Sequence, residues 1–289
     1  MSQRRPELAR HYATGVQHVA AELPAAATGT VTAAWYLDMI SAHPSERVLP
    51  LPWTELIVNL SDPYLVHTGA GEPVPTPPVF LTGIRHRVIS FGNPQRIRHL
   101  ALRLEPWTPV RLGVVPADGI TAVPGPLATA LQAAVGPLSE ALDDGAAQAA
   151  ADRLLAALLD RLQPAGRAVQ TVMLATELLR DDPTRPLAEV AAAVGLSHKT
   201  LIAHFRAVVG HPPGRFARLL LLHDLVARVP ADGRLANWAA LVADSGFADQ
   251  SHFIRVFREA TGLSPRGYLR LLAGSHYGDQ RFLGEDTAG

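Results

Sequence analysis

Arginine and glutamine carry flat groups with several hydrogen-bonding atoms at fixed spacing, which suits them to grip the edge of a planar heterocycle at two points. Gln250, Ser251, Ile254 and Arg255 fall at i, i+1, i+4 and i+5, one side of a helix, and Arg258 continues that side a turn later. Lys199, Thr200, Ile202, Ala203 and Arg206 share a second such face, with Leu201 and Phe205 turned inward. Arg255 can bond guanine and Gln250 adenine in bidentate fashion, each worth roughly 1–3 kcal/mol of discrimination.

A different chemistry is possible in the first half of the chain. Trp35, Trp53, Glu55, Asn59, Tyr64, Arg85 and Arg103 mix aromatic and charged groups in the proportions of a small-molecule pocket. Of the 12 histidines, His67, His86 and His99 fall in the same region. No His-x-His or His-x-x-x-His pair occurs there, so no metal and no other cofactor is expected. Nothing resembles a nucleophile elbow, a phosphate-binding loop or a dinucleotide-binding glycine run.

The elements that must position the two polar faces are legible as a repeat. Leu187-Ala-Glu-Val-Ala-Ala-Ala-Val-Gly195-Leu-Ser197 runs on to Phe205, then to Gly210-His-Pro-Pro213 and Phe216. Trp238-Ala-Ala-Leu-Val-Ala-Asp-Ser-Gly246-Phe-Ala runs on to Phe257, then to Gly262-Leu-Ser-Pro265 and Tyr268. Each copy reads as an apolar helix, a glycine turn and a second helix ending at Gly-x-x-Pro, which is a helix-turn-helix. Beyond the turns the copies align at an offset of 52, the second turn carrying one extra residue. A helix from Val169 to Leu179 precedes the repeat. One from Gly214 to about Val229 joins the two copies, with Phe216, Leu219, Leu220 and Val226 as its buried stripe. Ser197 is expected to cap the first polar helix and Asp249 the second, since Ala248 cannot.

Upstream the pattern is strand-like. Glu55–Leu60 is a short apolar run closed by Ser61-Asp-Pro63, and Arg98–Leu104 alternates Leu100, Leu102 and Leu104 against His99, Ala101 and Arg103. Turns rich in proline and glycine divide these runs, which predicts an antiparallel barrel or sandwich. Helices follow at Trp107–Leu112, Pro126–Val135 and Ala146–Leu162, the last with Leu154, Leu155, Leu158, Leu159 and Leu162 at helical spacing. The stretch from Pro126 to Leu162 is a candidate dimer face. Pro164-Ala-Gly166 reads as a linker, and the tail after Tyr277 is expected to fray.

The chain of 289 residues is long enough for two domains, and 48% of it is apolar. The absence of cysteine excludes disulfides and thiolate chemistry and suits a reducing cytoplasm. No signal peptide or membrane-spanning run is visible. The net charge is +0, but residues 167–270 hold 13 basic against 9 acidic side chains and residues 1–164 hold 12 against 14. The mildly basic second half is compatible with phosphate contacts. Lys199 is the only lysine.

The repeat resembles the AraC family of bacterial transcription regulators over about residues 167–272. The segment Gly246-Phe-Ala-Asp-Gln-Ser-His-Phe-Ile-Arg-Val-Phe-Arg-Glu-Ala-Thr-Gly-Leu-Ser-Pro-Arg-Gly-Tyr268 is very similar to that family's signature. Arg47-Val-Leu-Pro, Glu55–Pro63 and Phe80-Leu-Thr-Gly83 resemble the cupin-like sensor half often fused to it. The resemblance implies base contacts at Lys199, Ile202 and Ala203 and at the matching Gln250, Ser251, Ile254 and Arg255, with Ser264 and Arg266 near the backbone. Ile202 and Ala203 depart from the usual polar or arginine residues, so the first helix is expected to read weakly or to favour thymine methyls, and the second to specify. His252 is expected to be packed rather than a reader.

The expected fold is α+β. Residues 1–163 form an antiparallel, cupin-like β-barrel domain ending in helices, and residues 167–273 an all-α double helix-turn-helix domain. The expected protein is a cytoplasmic, non-enzymatic DNA-binding transcription regulator. Its partners would be double-stranded DNA, a small-molecule effector, RNA polymerase and a second copy of itself, with no membrane. The alternatives are a cupin-like metal-dependent enzyme with a regulatory helical domain, and a helical adaptor that binds protein rather than DNA.

Overall fold

An alternating strand buries one row of side chains unless something covers its second face. In strand β9 (Arg96–Leu104) both rows are covered, and this organises the first half of the computed structural model, which describes residues 17–67, 71–116, 119–136, 142–230, 232–235, 237–274 and 282–285. The preceding strands are β1 (Gln17–Ala21), β2 (Val31–Ile40), β3 (Ser45–Val48), β4 (Thr54–Asn59), β5 (Leu65–His67), β6 (Val74–Pro75), β7 (Val79–Thr82) and β8 (Ile89–Gly92). After β9 come α1 (Thr108–Arg111), β10 (Ile120–Ala122), α2 (Gly125–Val135) and α3 (Asp144–Leu159).

One antiparallel sheet runs in the order β1-β2-β9-β4-β7-β10. Leu100, Leu102 and Leu104 point from it to a core shared with Leu131 and Val135 of α2 and Leu154, Leu155 and Leu158 of α3. Its other face, with Leu37, Ile57, Phe80 and Ala101, packs against Val48, Val66 and Phe91 of a second sheet. The two sheets are separate hydrogen-bonded units that face each other rather than one closed cylinder. Strand β4 lies inside the first sheet, and all six of its residues are buried, which is why Glu55–Leu60 reads as a near-continuous apolar run.

The leucine stripe of α3 packs on the sheet, so Leu155 is a core residue of the single chain. The exposed positions of α2 and α3 include Gln132, Ala133, Ala149, Asp152 and Ala156, which are small or polar. Helix α3 also starts two residues earlier than expected, because the Asp143 carboxylate accepts from the Ala146 amide at 2.7 Å and caps it.

The second half is helical: α4 (Arg167–Asp181), α5 (Leu187–Ala193), α6 (His198–Val209), α7 (Pro213–Ala227), α8 (Trp238–Ala243), α9 (Gln250–Thr261) and α10 (Pro265–Gly274). Helices α5 and α6 form the first helix-turn-helix, α8 and α9 the second. Their turns pass through Gly195 and Gly246, both at positive φ (70° and 77°). A Cβ on Gly246 would also stand 2.8 Å from Thr184 Cγ2, so glycine is required there twice over.

Helix α7 serves both motifs. Phe216, Ala217 and Leu219 enter the core around α4–α6, with Leu220 partly buried beside them. Leu222, Leu225 and Val226 enter the core around α8–α10. The expected stripe is thus divided along the helix between two cores.

The two halves of the chain are joined at several points. Glu105 takes Arg180 of α4 in a two-bond ion pair at 2.6 and 3.2 Å, and Trp107 packs into the α4–α6 core. His211 Nε2 lies 2.7 Å from the Ile84 carbonyl oxygen, and the Val88 amide donates to the Ala260 carbonyl at 2.6 Å. Beyond α10, residues Phe282–Glu285 form β11, which pairs antiparallel with β3 at the edge of the second sheet. Frayed chain had been expected after Tyr277. Instead Leu283 is fully buried between the halves, while residues 275–281 and 286–289 lie outside the described residues.

The Glu105 side chain is 8% exposed and that of Arg180 36%, so removing the arginine strands a buried carboxylate. Arg180→Ala is expected to lower unfolding free energy by about 2–3 kcal/mol, discounted for the arginine's partial exposure. Glu105→Gln, which strands no charge, should cost less. Urea denaturation of the two variants checks the order.

Candidate functional site

Helices α6 and α9 are built alike where it matters for reading a surface. Ser197 caps α6, its Oγ accepting from the Thr200 amide at 3.1 Å, and Asp249 caps α9, accepting from the His252 amide at 2.7 Å. The caps are 52 residues apart, as are Gly210 and Gly262, which close the helices in the left-handed conformation at φ 84° and 69°. The repeat is therefore one of capping chemistry as well as of apolar spacing.

Inward, Leu201 and Phe205 are fully buried in the first motif and Phe253 and Phe257 in the second. The second core is the more aromatic. Trp238 stacks on Phe253 at 5.4 Å between centroids, Phe247 meets Phe253 at 5.5 Å, and Phe257 meets Tyr268 at 5.3 Å. His252 lies edge-on to Phe247 at 5.7 Å and is half-buried, a packed residue.

Outward, Lys199, Ala203 and Arg206 of α6 and Gln250, Ser251, Arg255 and Arg258 of α9 are exposed. Among the described residues no hydrogen bond or ion pair ties down the side chains of Lys199, Arg206, Gln250, Arg255 or Arg258. Their donors are available to an outside partner. Thr200 is half-buried, and its hydroxyl shares a 2.8 Å hydrogen bond with that of Ser197, so it belongs to the cap. Ile202 is half-buried, and Ile254 packs against the aromatic core. At the start of α10 the Ser264 hydroxyl accepts from the Gly267 amide at 3.1 Å, and Arg266 beside it is exposed.

A second feature lies between the two sheets: a cavity of about 110 Å³. Register places its lining of the first sheet in rungs. Arg103 of β9 pairs with Glu55 of β4, which pairs with Thr82 of β7. On the next inward rung Trp35, Ala101, Ile57 and Phe80 are neighbours, and on the one after that His18, Leu37 and His99. Glu46, Val48 and Phe91 face them from the second sheet.

Trp35, Glu55, Tyr64, Arg85 and Arg103 all line this space. Trp53 is not among the lining residues; it packs behind two that are. The Arg103 guanidinium lies 4.0 Å over the Trp53 ring, the Trp53 indole donates to Glu55 at 3.0 Å, and Trp53 meets His223 of α7 edge-on at 4.7 Å. Asn59 does not line the cavity; its amide closes the turn after β4 by donating to the Ser61 and Asp62 carbonyls. Glu46, Thr82 and His18 were missed. Alternation along β2 would have found Leu37 and Met39, but Glu46 sits on a short strand whose partners are remote in sequence.

The histidines considered for a metal are dispersed. His99 faces Tyr64, the hydroxyl lying 3.0 Å from Nδ1, while His86 stacks edge-on against His211 at 5.4 Å. No group of three metal-ligating side chains occurs among the described residues.

Residues 190–271 match the family described as a helix-turn-helix domain. No curated protein sequence matches the chain. Among solved structures, ToxT from Vibrio cholerae is 11% identical, with 89% of this chain and 98% of that one covered and a TM-score of 0.47. A ToxT structure described as bound to unsaturated fatty acid is 11% identical over 92% and 99% of the two chains, with a TM-score of 0.46. The AraC-like transcriptional activator CuxR is 13% identical over 72% and 86%, with a TM-score of 0.26. Residues 190–271 therefore carry a helix-turn-helix domain.

His99 gives a pH test of the cavity wall. Its remaining exposure is to the cavity it lines, and burial, helped by nearby His18, lowers its pKa from 6.5 to about 4. The folded protein therefore holds neutral His99 where the unfolded chain would take a proton. The stabilisation is complete above pH 6.5 and is lost as pH falls towards 4, with a slope of up to about 1.4 kcal/mol per pH unit. His99→Gln should flatten the stability profile in this window by about one proton, as measured by urea unfolding at a series of pH values.

Proposed function

We propose that the chain is a sequence-specific DNA-binding transcription regulator. Its two capped helices α6 and α9 enter successive major grooves, and its β half answers to a small-molecule effector held between the sheets. The observation that carries the reading is the paired presentation of untethered polar side chains on two helices capped at equivalent positions, joined through one shared helix, α7. Major-groove readers place outward side chains near the N-terminal end of such a helix against base edges.

The two helices do unequal work in this reading. Arg255 and Gln250 supply bidentate donors and acceptors, whereas Ala203 and half-buried Ile202 offer methyl contact only. The second motif therefore specifies and the first mainly positions, with Lys199, Arg206 and Arg258 drawn to phosphate. Residues 1–163 serve as the effector-binding part and 167–273 as the DNA-binding part. Contact with RNA polymerase and pairing with a second copy belong to the same reading, as does a cytoplasmic setting. No helix of the described residues is long and apolar enough to cross a membrane.

The test is selection of genomic fragments by the purified protein, followed by salt titration on the enriched site. Two short blocks one helical turn apart are expected, with affinity falling steeply as salt rises. Arg255→Ala should relax one base position by about 1–3 kcal/mol and leave the other block intact. An unchanged motif in that variant would remove Arg255 from the interface. Absent or salt-insensitive binding by the wild type would favour the adaptor reading instead.

A further inference from the structure

We propose that the inter-sheet cavity selects an uncharged amphiphile, with an apolar body and a head group that both donates and accepts hydrogen bonds, such as a carboxamide, and that Glu55 is the residue that turns carboxylates away. The inference rests on the reading of the cavity as the effector site and adds the chemical class of the effector.

Side chains two residues apart on a strand and facing the same way are ~7 Å apart, so Arg103, Ala101 and His99 span ~14 Å of the cavity wall. On the strands of the first sheet charge is confined to one end of this wall, where Arg103 and Glu55 are direct cross-strand neighbours; Glu46 of β3 and Arg85, which follows β7, line the cavity from outside those strands. The middle rung of Trp35, Ala101, Ile57 and Phe80 is apolar. At the far end His99 is held neutral, so it offers no cation to an anion. The wall is thus shaped for a short apolar body with one polar head.

The head must satisfy two groups at once. Arg103 lies against the Trp53 indole at 4.0 Å and 3.9 Å from Glu55, and the same indole holds Glu55 in place with a 3.0 Å hydrogen bond. The side chains of Arg103 and Glu55 are only 15% and 11% exposed, so water does little to screen them. A carboxylate drawn to Arg103 brings a second negative charge against Glu55, and like charges sharing a dry site repel strongly. Displacing Glu55 would leave it buried without its cation, which is no better. An ammonium meets the mirror-image conflict with Arg103. A carboxamide offers its carbonyl oxygen to the guanidinium and its N–H to the carboxylate, and breaks nothing.

Three near-isosteric probes separate the cases: phenylacetamide, phenylacetate and 2-phenylethylamine, titrated into the full chain by calorimetry at neutral pH. Phenylacetamide is expected to bind at least ten-fold more tightly than either charged probe. In Glu55→Gln, which keeps size and removes the charge, phenylacetate should gain at least ten-fold and overtake the amide. Tighter wild-type binding of phenylacetate or of the amine would overturn the proposal. So would an unchanged preference in the variant, or no binding of any probe at millimolar concentration. If the variant does not fold, the wild-type ranking decides alone. DNA selection with the same preparation is read separately, so a wrong ligand class and a wrong regulator assignment give different failures.

Discussion

The burial of β9 on both faces is the constraint from which the first half of the molecule follows. A strand covered on one side could leave His99, Ala101 and Arg103 to water. Here Leu100, Leu102 and Leu104 are taken by α2 and α3, and the opposite row faces a second sheet. Polar groups placed in such a row must find partners or be neutral. Arg103 finds Trp53 and Glu55, and His99 gives up its proton and lies against Tyr64. The division of this sheet's cavity wall into a charged end, an apolar middle and a neutral imidazole end is therefore a consequence of one strand's alternation between two covered faces.

The helical half depends on α7 in a comparable way. Neither helix-turn-helix closes a core by itself: the first borrows Phe216 and Leu219, the second Leu222, Leu225 and Val226. Because both sets sit on one helix, the spacing of α6 and α9 is fixed by its rise of 1.5 Å per residue rather than by a flexible linker. The β half touches the closing ends of both helices, through Pro116 beside Gly210 and through Val88 bonded to Ala260. The capped starting ends, where Lys199 and Gln250 stand exposed, are at the opposite ends of the same helices.

Much of this was legible in the sequence, and the failures share a cause. The repeat announced its turns, caps and inward phenylalanines because those depend on local spacing. The alternation of β9 announced two faces. The leucine stripe of α3 announced burial, yet said nothing about what does the burying, which is a sheet from the same chain. Trp53 was placed in the pocket by type, but its contact with His223 joins residues remote in sequence. Strand β11 was unreadable for the same reason, since four residues after a long helical stretch carry too little pattern to name β3 as their partner. What is set by neighbours along the chain can be read from it; what is set by partners across the fold cannot.

On the proposed reading, in which the cavity holds an effector, Trp53 is the contact through which a signal would leave it. A ligand alters DNA binding only through contacts that differ between two arrangements of the protein. Trp53 touches Arg103 and Glu55 on one side and His223 of α7 on the other, so a head group that reorients the charged pair acts on a ring already packed against the helix shared by both motifs. The coupling available by this route is bounded by the contacts at stake. A tilted indole forfeits part of a cation–π contact worth about 0.5–2 kcal/mol and an aromatic contact worth about 0.5–1.5 kcal/mol. A change of 1.4 kcal/mol is ten-fold in an equilibrium constant, so this path alone supports a response of ten-fold order in affinity. A steeper response would have to draw on the other joints between the halves, Glu105 with Arg180 and β11 with β3, which tie the β half to the first and the second motif respectively.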